Sequence, residues 1–290
     1  MLTRIIGISS GKGGVGKTTV TANLALALNE LGQKVLAIDC NLSTPHLSYY
    51  LGINDYKSTL NDVMYGKTDK EVAIYRYNGI HFLPASLNLR DLIGLDLRGF
   101  KKMVMKFADP DKYDYILLDS APGLGREAIS VLNAADEILF VTTPFVPMVN
   151  DVIRCIEVLK RIGHKKVGIV LNMANGKKYE LYIKTVERLT GVPVVGTIPF
   201  DKNMVYSLVM GDPILKYDNF SDASIRFMEM ASKLCGVDYI PPNRIKRGIR
   251  KFVTTLANAR IHMMQNEEDL ETELFIQEGQ KIQQLGKIVS

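Results

Sequence analysis

The first apolar stretch, residues 4–9, is short, continuous and rich in isoleucine, and a glycine-rich turn follows it. Such a run, about four to eight residues long and bounded by turn residues, reads as a strand buried on both faces. From residue 18 to 31 the period changes, with Val20, Leu24, Leu28 and Leu31 recurring at helical spacing. Further buried-type runs at 34–39, 115–119, 137–142, 166–171 and 192–198 are mostly separated by helical stretches. This alternation predicts an α/β fold: a doubly wound, mostly parallel sheet with helices on both faces. Ligands of such sheets bind beyond the carboxyl ends of the strands. The region 51–106 is less regular, with a small hairpin expected near 73–83 and a helical pattern over 97–107.

At Pro241-Pro242 the alternation stops, and the remaining residues carry no strand signal, only a basic block and then an acidic one. The chain therefore divides into an α/β domain over residues 1–236 and a helical tail over 237–290.

Composition narrows the class. With 290 residues, 47% of them hydrophobic, the chain can bury a substantial core. Cys40, Cys155 and Cys235 are far apart, so no C-x-x-C pair is available for zinc or an iron–sulfur cluster. The apolar run at 5–8 is too short for a signal-peptide core, and no run reaches the roughly 18 residues of a membrane span, so the expectation is cytoplasmic. A net charge of +5 permits attraction to nucleic acid or anionic lipid and specifies neither.

The chemistry is concentrated after the first strand. Residues 11–18 fit G-x-x-x-x-G-K-[ST], between a predicted strand and a predicted helix, where a phosphate-binding loop belongs. Gly11, Gly13, Gly14, Val15, Gly16, Lys17, Thr18 and Thr19 are the candidate nucleotide-binding residues. Their backbone amides can wrap an anion, Lys17 can neutralise β- and γ-phosphate charge, and the Thr18 hydroxyl can ligate magnesium. Lys12, at the loop's second position, is expected to point away from the phosphates its own loop cradles. It would then serve a phosphate presented by a second subunit, as an arginine finger does.

The run Lys12-Gly13-Gly14-Val15-Gly16-Lys17-Thr18-Thr19 resembles the deviant Walker A motif of the MinD/ParA/nitrogenase-iron-protein superfamily of P-loop NTPases, in which the signature lysine crosses a dimer interface. The resemblance extends through residue 236. Asp39 resembles the switch I aspartate that helps hold the magnesium shell. Asp119, in Leu117-Leu118-Asp119-Ser120-Ala121-Pro122-Gly123, resembles the Walker B and switch II carboxylate. Asn172 resembles the adenine-reading asparagine, and an amide can pair with both N6 and N7 of adenine. Pro199, Phe200 and Asp201 are similar to the loop over the adenine, Gly211-Asp212-Pro213 resembles the downstream G-x-P, and Asp151 matches an interface aspartate of MinD-like proteins. The resemblance implies ATP or ADP with Mg2+ as ligands and a homodimer in the ATP state. The iron–sulfur carriers need cysteine pairs this chain lacks, and the tyrosine-kinase branch needs a C-terminal tyrosine cluster, whereas this tail holds Tyr239 alone. MinD-like and ParA-like readings remain.

One position departs from the family pattern. Two residues after Asp39, where the family usually has a second aspartate that positions the attacking water, this chain has Asn41. Other NTPases orient water with an uncharged amide, so Asn41 remains a catalytic candidate beside Lys12 and Lys17, and slow hydrolysis is expected.

The tail adds a partner question. Residues 244–264 place Ile245, Ile249, Phe252, Val253 and Leu256 on one helical face and Lys246, Arg247, Arg250 and Lys251 on another. A basic amphipathic helix of this kind suits an anionic membrane surface, where the protein would sit peripherally. It equally suits a partner protein or the acidic block Glu267 to Glu273, with nucleic acid a weaker third. The expected function is a MinD-like ATPase acting as a dimerisation switch that positions a partner, in division-site selection or a related task. The alternatives are a ParA-like DNA-partitioning ATPase and a nucleotide-dependent scaffold with negligible turnover.

Overall fold

A computed structural model describes residues 2–243 apart from His164. The basic segment 244–264 and the acidic residues after it lie outside the described residues.

The apolar run after the N-terminus forms β1 (Arg4–Ser9), and the helical pattern next to it forms α1 (Lys17–Glu30). Next come β2 (Val35–Cys40), α2 (Leu47–Tyr50), α3 (Leu60–Met64), β3 (Tyr75–Tyr77), β4 (Ile80–Leu83) and α4 (Phe100–Met105). The second half holds β5 (Tyr115–Ser120), α5 (Arg126–Ala134), β6 (Glu137–Thr142), α6 (Val146–Ile162), β7 (Lys166–Ala174), α7 (Ile183–Thr190) and β8 (Val194–Pro199). Three helices close the order: α8 (Asn203–Val209), α9 (Ile214–Tyr217) and α10 (Asp222–Cys235). The first compact unit ends at Pro241, and Tyr239 still packs against the core beneath α10.

These strands form one eight-stranded sheet in the order β3-β4-β2-β5-β1-β6-β7-β8, parallel throughout except for the β3–β4 hairpin. Successive strand residues supply opposite faces, which is why the strands read as unbroken apolar runs. Ile116 and Leu118 join the core under α3 to α7, while Tyr115 and Leu117 join the one under α1, α2, α9 and α10. Close packing fixes some residue types. A Cβ on Gly7 would stand 2.9 Å from Ile138 and 3.1 Å from Val131, so α5 can lie against β1 only over a glycine. The sheet winds outward from β1 in both directions, and its crevice lies beyond the carboxyl ends of β1, β2 and β5. No helix among the described residues is long and apolar enough to cross a membrane.

The irregular region resolves into local devices. Asn78 and Gly79 have positive φ values of 42° and 87°, the geometry of a tight hairpin turn that reverses β3 into β4. Thr59 and Asp62 form a reciprocal capping box that starts α3. The helix expected over 97–107 is shorter than its pattern, running only through α4.

Candidate functional site

The loop from Ser10 to Gly16 leaves the end of β1 and turns directly into α1. Gly14 and Gly16 hold φ values of 78° and 89°, which favour residues without a Cβ, and Gly16 is also the N-cap of α1. Space sets the other limits. A Cβ on Gly11 would stand 2.8 Å from the Asp151 backbone carbon, so α6 is seated on the loop. A Cβ on Gly16 would strike the Asn172 amide. That amide, nearly fully buried at the end region of β7, donates to the Val15 carbonyl at 2.8 Å and braces the loop from behind. Val15 and Thr19 are buried beside it.

Lys17 opens α1 and is largely buried. Burial lowers its pKa, opposed by the charge of Asp119. Asp119 stands on β5 in register with Asp39 on β2, so two fully buried carboxylates face the same crevice from neighbouring strands. Asp39 is well partnered: Oδ1 accepts from the Asn41 amide at 3.1 Å, and Oδ2 accepts from the His46 and Leu47 amides at 3.0 Å each. Asp119 is not. The Thr21 hydroxyl donates to its Oδ1 at 3.1 Å, while Oδ2 has no hydrogen-bond partner. Burial pushes both carboxyl groups above the usual range. For Asp39 the charge of Asp119 adds to the push, whereas Thr18, Lys17 and Thr21 act against it at Asp119. A pair of buried carboxylates with an orphaned oxygen, beside a threonine hydroxyl and under an anion-binding loop, has the donor chemistry of a hard divalent cation held through oxygen. The residues present therefore fit magnesium.

The segment after β5 is tied to the glycine loop. Gly123, with φ 76°, donates its amide to the Ser10 carbonyl at 2.9 Å, and Pro122 sits 4.0 Å from the position a Cβ on Gly13 would take. Ser43, between Asp39 and His46, bonds through its hydroxyl and amide to Glu127 in the first turn of α5.

Several expected site residues are engaged in ways the sequence does not disclose. Lys12 pairs within its own chain, its Nζ 3.3 Å from Asp151 Oδ2, and its side chain is about half exposed. Arg154 approaches the same carboxylate at 3.6 Å. The Asn41 amide donates to the Thr44 carbonyl and, at 3.0 Å, to the Thr44 hydroxyl, so it is folded into its own loop. Nδ2 of Asn172 gives one of its two N–H groups to Val15, which leaves the second N–H as a donor and Oδ1 as an acceptor. Pro199 ends β8, Phe200 is half exposed with its amide on the Ala174 carbonyl, and Asp201 Oδ1 accepts from the Asn203 amide at the start of α8. Thr21 is a site residue that sequence reasoning missed. One helical turn after Lys17 on α1, it is placed by a period the sequence does show.

A family model described as ParA, the NUBPL iron-transfer P-loop NTPase, matches residues 1–235. An ATP-binding protein of Methanocaldococcus jannaschii, itself uncharacterized, is 32% identical over 258 residues, covering 88% of this chain and 97% of that protein. The septum site-determining protein MinD of Pyrococcus horikoshii, solved with Mg-ADP, is 35% identical with a TM-score of 0.75, over 80% of this chain and 96% of that one. MinD of Aquifex aeolicus, solved in complex with MinC, is 30% identical with a TM-score of 0.75, over 83% of this chain and 99% of that one. Sequence, fold and the geometry of the glycine loop agree, and the chain belongs to the ParA/MinD family of P-loop NTPases.

Proposed function

We propose that this chain is a MinD-like ATPase that binds ATP with magnesium, hydrolyses it slowly and dimerises in the ATP state to position a partner, in division-site selection or a related spatial task. The observation that carries the reading is the buried pair Asp39 and Asp119, with its unpartnered oxygen, beneath the loop that bears Lys17. In this reading the amides of residues 11–19 and the Lys17 ammonium hold the phosphates, and Thr18, Asp39 and Asp119 hold the magnesium. When bound, the ion supplies neutralising charge at the phosphate oxygens. The Asn172 carbonyl oxygen takes the adenine amino group, with Pro199, Phe200 and Asp201 along the base.

Lys12 serves the partner subunit's nucleotide after leaving Asp151. The Lys12 end of that pair is half exposed while the Asp151 end is largely buried, and Arg154 stays beside the carboxylate when Lys12 leaves. Slow turnover follows from Asn41: its amide must give up Thr44 before it can position water. The same bonds favour the scaffold reading, in which ATP is bound and scarcely hydrolysed. The partner is a protein or an anionic membrane surface reached through residues 244–264, with DNA the ParA-like alternative.

Light scattering with ADP and with ATP–magnesium tests the switch. A dimer formed only with ATP, and lost in Lys12→Ala and Lys17→Ala, is the expected result; a monomer in every condition despite measured ATP binding would overturn it. Single-turnover hydrolysis then separates switch from scaffold, and ATP-dependent sedimentation with anionic vesicles or with DNA separates the partners.

A further inference from the structure

The glycine loop occupies the carboxyl ends of the strands; at the other end of the sheet, on the β3–β4 edge, lies a second concavity of about 370 Å3. Arg76 of β3 and His81 of β4 are register partners there, and Lys112 and Tyr113 meet them from the turn that enters β5. Tyr113 is buried, and its hydroxyl is hydrogen-bonded to His81 Nδ1 at 2.7 Å, which fixes both rings edge to face. Burial, and then the charge of Arg76, lower the His81 pKa, which favours the neutral imidazole.

The charges in the cavity do not balance. Lys70 and Lys112 share one carboxylate, Glu71, at 3.6 and 3.7 Å. The Asp109 carboxylate accepts the Asp111 amide at 3.1 Å. The Arg76 guanidinium has no hydrogen-bond or ion-pair partner among the described residues; it is close enough to act on His81 and on Tyr113, where the carboxylates of Glu71 and Asp109 also act. Three cations therefore stand against two carboxylates, beside a tyrosine hydroxyl that histidine holds in place. Phe107, with the Lys70 ammonium 5.6 Å from its ring centroid, closes the apolar side.

We propose that this cavity is a binding site for a small phosphorylated molecule, its phosphate held by Arg76 and Lys112 and its remaining oxygen met by the Tyr113 hydroxyl. His81, with the proton on Nδ1, donates to the tyrosine oxygen and leaves the phenolic proton for the ligand. Lys70 is held by the Lys106 carbonyl and Glu71, so Arg76 and Lys112 are the cations offered to a ligand, and two separate donors with a hydroxyl suit the three acceptor oxygens of a phosphate. The volume lies at the lower end of the range for small-molecule sites, about 300–1,000 Å3, and fits a phosphorylated triose or sugar. This site is separate from the nucleotide site and does not depend on how that site is read.

The test uses the full chain with the glycine loop saturated by ADP–magnesium, so that added phosphate cannot report on that loop. Inorganic phosphate and glycerol 3-phosphate are titrated while backbone amide resonances are followed, with malonate at equal ionic strength as the carboxylate arm. Saturable shifts are expected at residues 70–76, 80–82 and 109–113. Arg76→Gln and Lys112→Ala should each weaken binding about tenfold or more, and Tyr113→Phe about threefold. Arg76 and Lys112 have exposed side chains, so melting temperatures matching the wild type separate lost binding from lost fold. Shifts confined to residues 11–19, affinity unchanged in both cation variants, or malonate binding as tightly as phosphate would each overturn the assignment.

Discussion

Replacing Asp119 by asparagine should make the nucleotide-free protein more stable while it removes nucleotide-linked stabilisation. The carboxylate is fully buried, has a hydrogen bond to only one oxygen, and lies in register with Asp39 on the adjacent strand. Neighbouring strands are about 4.8 Å apart. At an effective dielectric of about 20, two full charges at roughly that spacing repel by about 3 kcal/mol, an upper bound here because burial and the charge of Asp119 push the Asp39 pKa up to about 8. Attraction between Asp119 and Lys17 offsets part of this, leaving a net gain of about 1–2 kcal/mol, or roughly 2–8 °C in melting temperature for a domain of this size. Thr21 can still donate to the amide oxygen. The pH dependence has a definite sign. Folding raises the Asp119 pKa, so the native state holds the proton more tightly than the unfolded chain, and the wild type loses stability as pH rises through the folded value. Asparagine does not titrate, so its advantage should be full near pH 8 and shrink towards pH 4. Thermal unfolding without nucleotide at both pH values, and with ATP–magnesium at pH 8, reads all three effects. A variant that melts at or below the wild-type temperature at pH 8, with native circular dichroism, would refute the view that this charge is uncompensated.

Asn172→Ala removes the donor to the Val15 carbonyl and the acceptor proposed for adenine, so ADP should bind about tenfold more weakly and stability should fall by about 1–2 kcal/mol. Calorimetric titration measures the first effect, and an unchanged ADP affinity would show that the loop does not need this brace. At the other end of the strands, Arg4 grips Glu137 through two bonds of 2.6 and 2.9 Å and also donates to the Tyr115 hydroxyl and the Leu234 carbonyl. Glu137→Gln should cost about 1–2 kcal/mol at pH 7. Against the upward push of burial, Arg4 and then Lys166 hold the Glu137 pKa below the usual range, so the cost should vanish as pH falls through that value. Urea denaturation at pH 7 and pH 3 tests this, and a cost independent of pH would contradict it.

The sheet and the phosphate loop are legible in the sequence because both are local. A strand buried on both faces leaves an unbroken apolar run, and a loop that needs positive φ leaves glycines at Gly14 and Gly16. The region 51–106 is harder to read, since α3 and α4 are only five and six residues long and the helical pattern over 97–107 overruns α4. The signals present there are chemical instead: Asn78-Gly79 for the hairpin and Thr59 with Asp62 for the cap. What no spacing can reveal is which partners the site residues take. Gly11 needs to be glycine because of Asp151, and Gly16 has Asn172 against it. Lys12 and Asp151 each stand out in the sequence, yet their ion pair within one chain exists only once α6 is laid across the loop.

Asp39 does two things at once. Its carboxylate faces the crevice proposed for magnesium, and its oxygens also secure the amides of Asn41, His46 and Leu47, the last opening α2. The electrostatics of the crevice and the shape of residues 41–47 are therefore one thermodynamic variable. A ligand that draws on Asp39 shares its oxygens with three backbone amides, and anything that immobilises this segment from outside alters the ligand's affinity by the factor with which the ligand alters the segment. A protein docking against residues 41–47 would in this way set nucleotide residence time without touching the nucleotide.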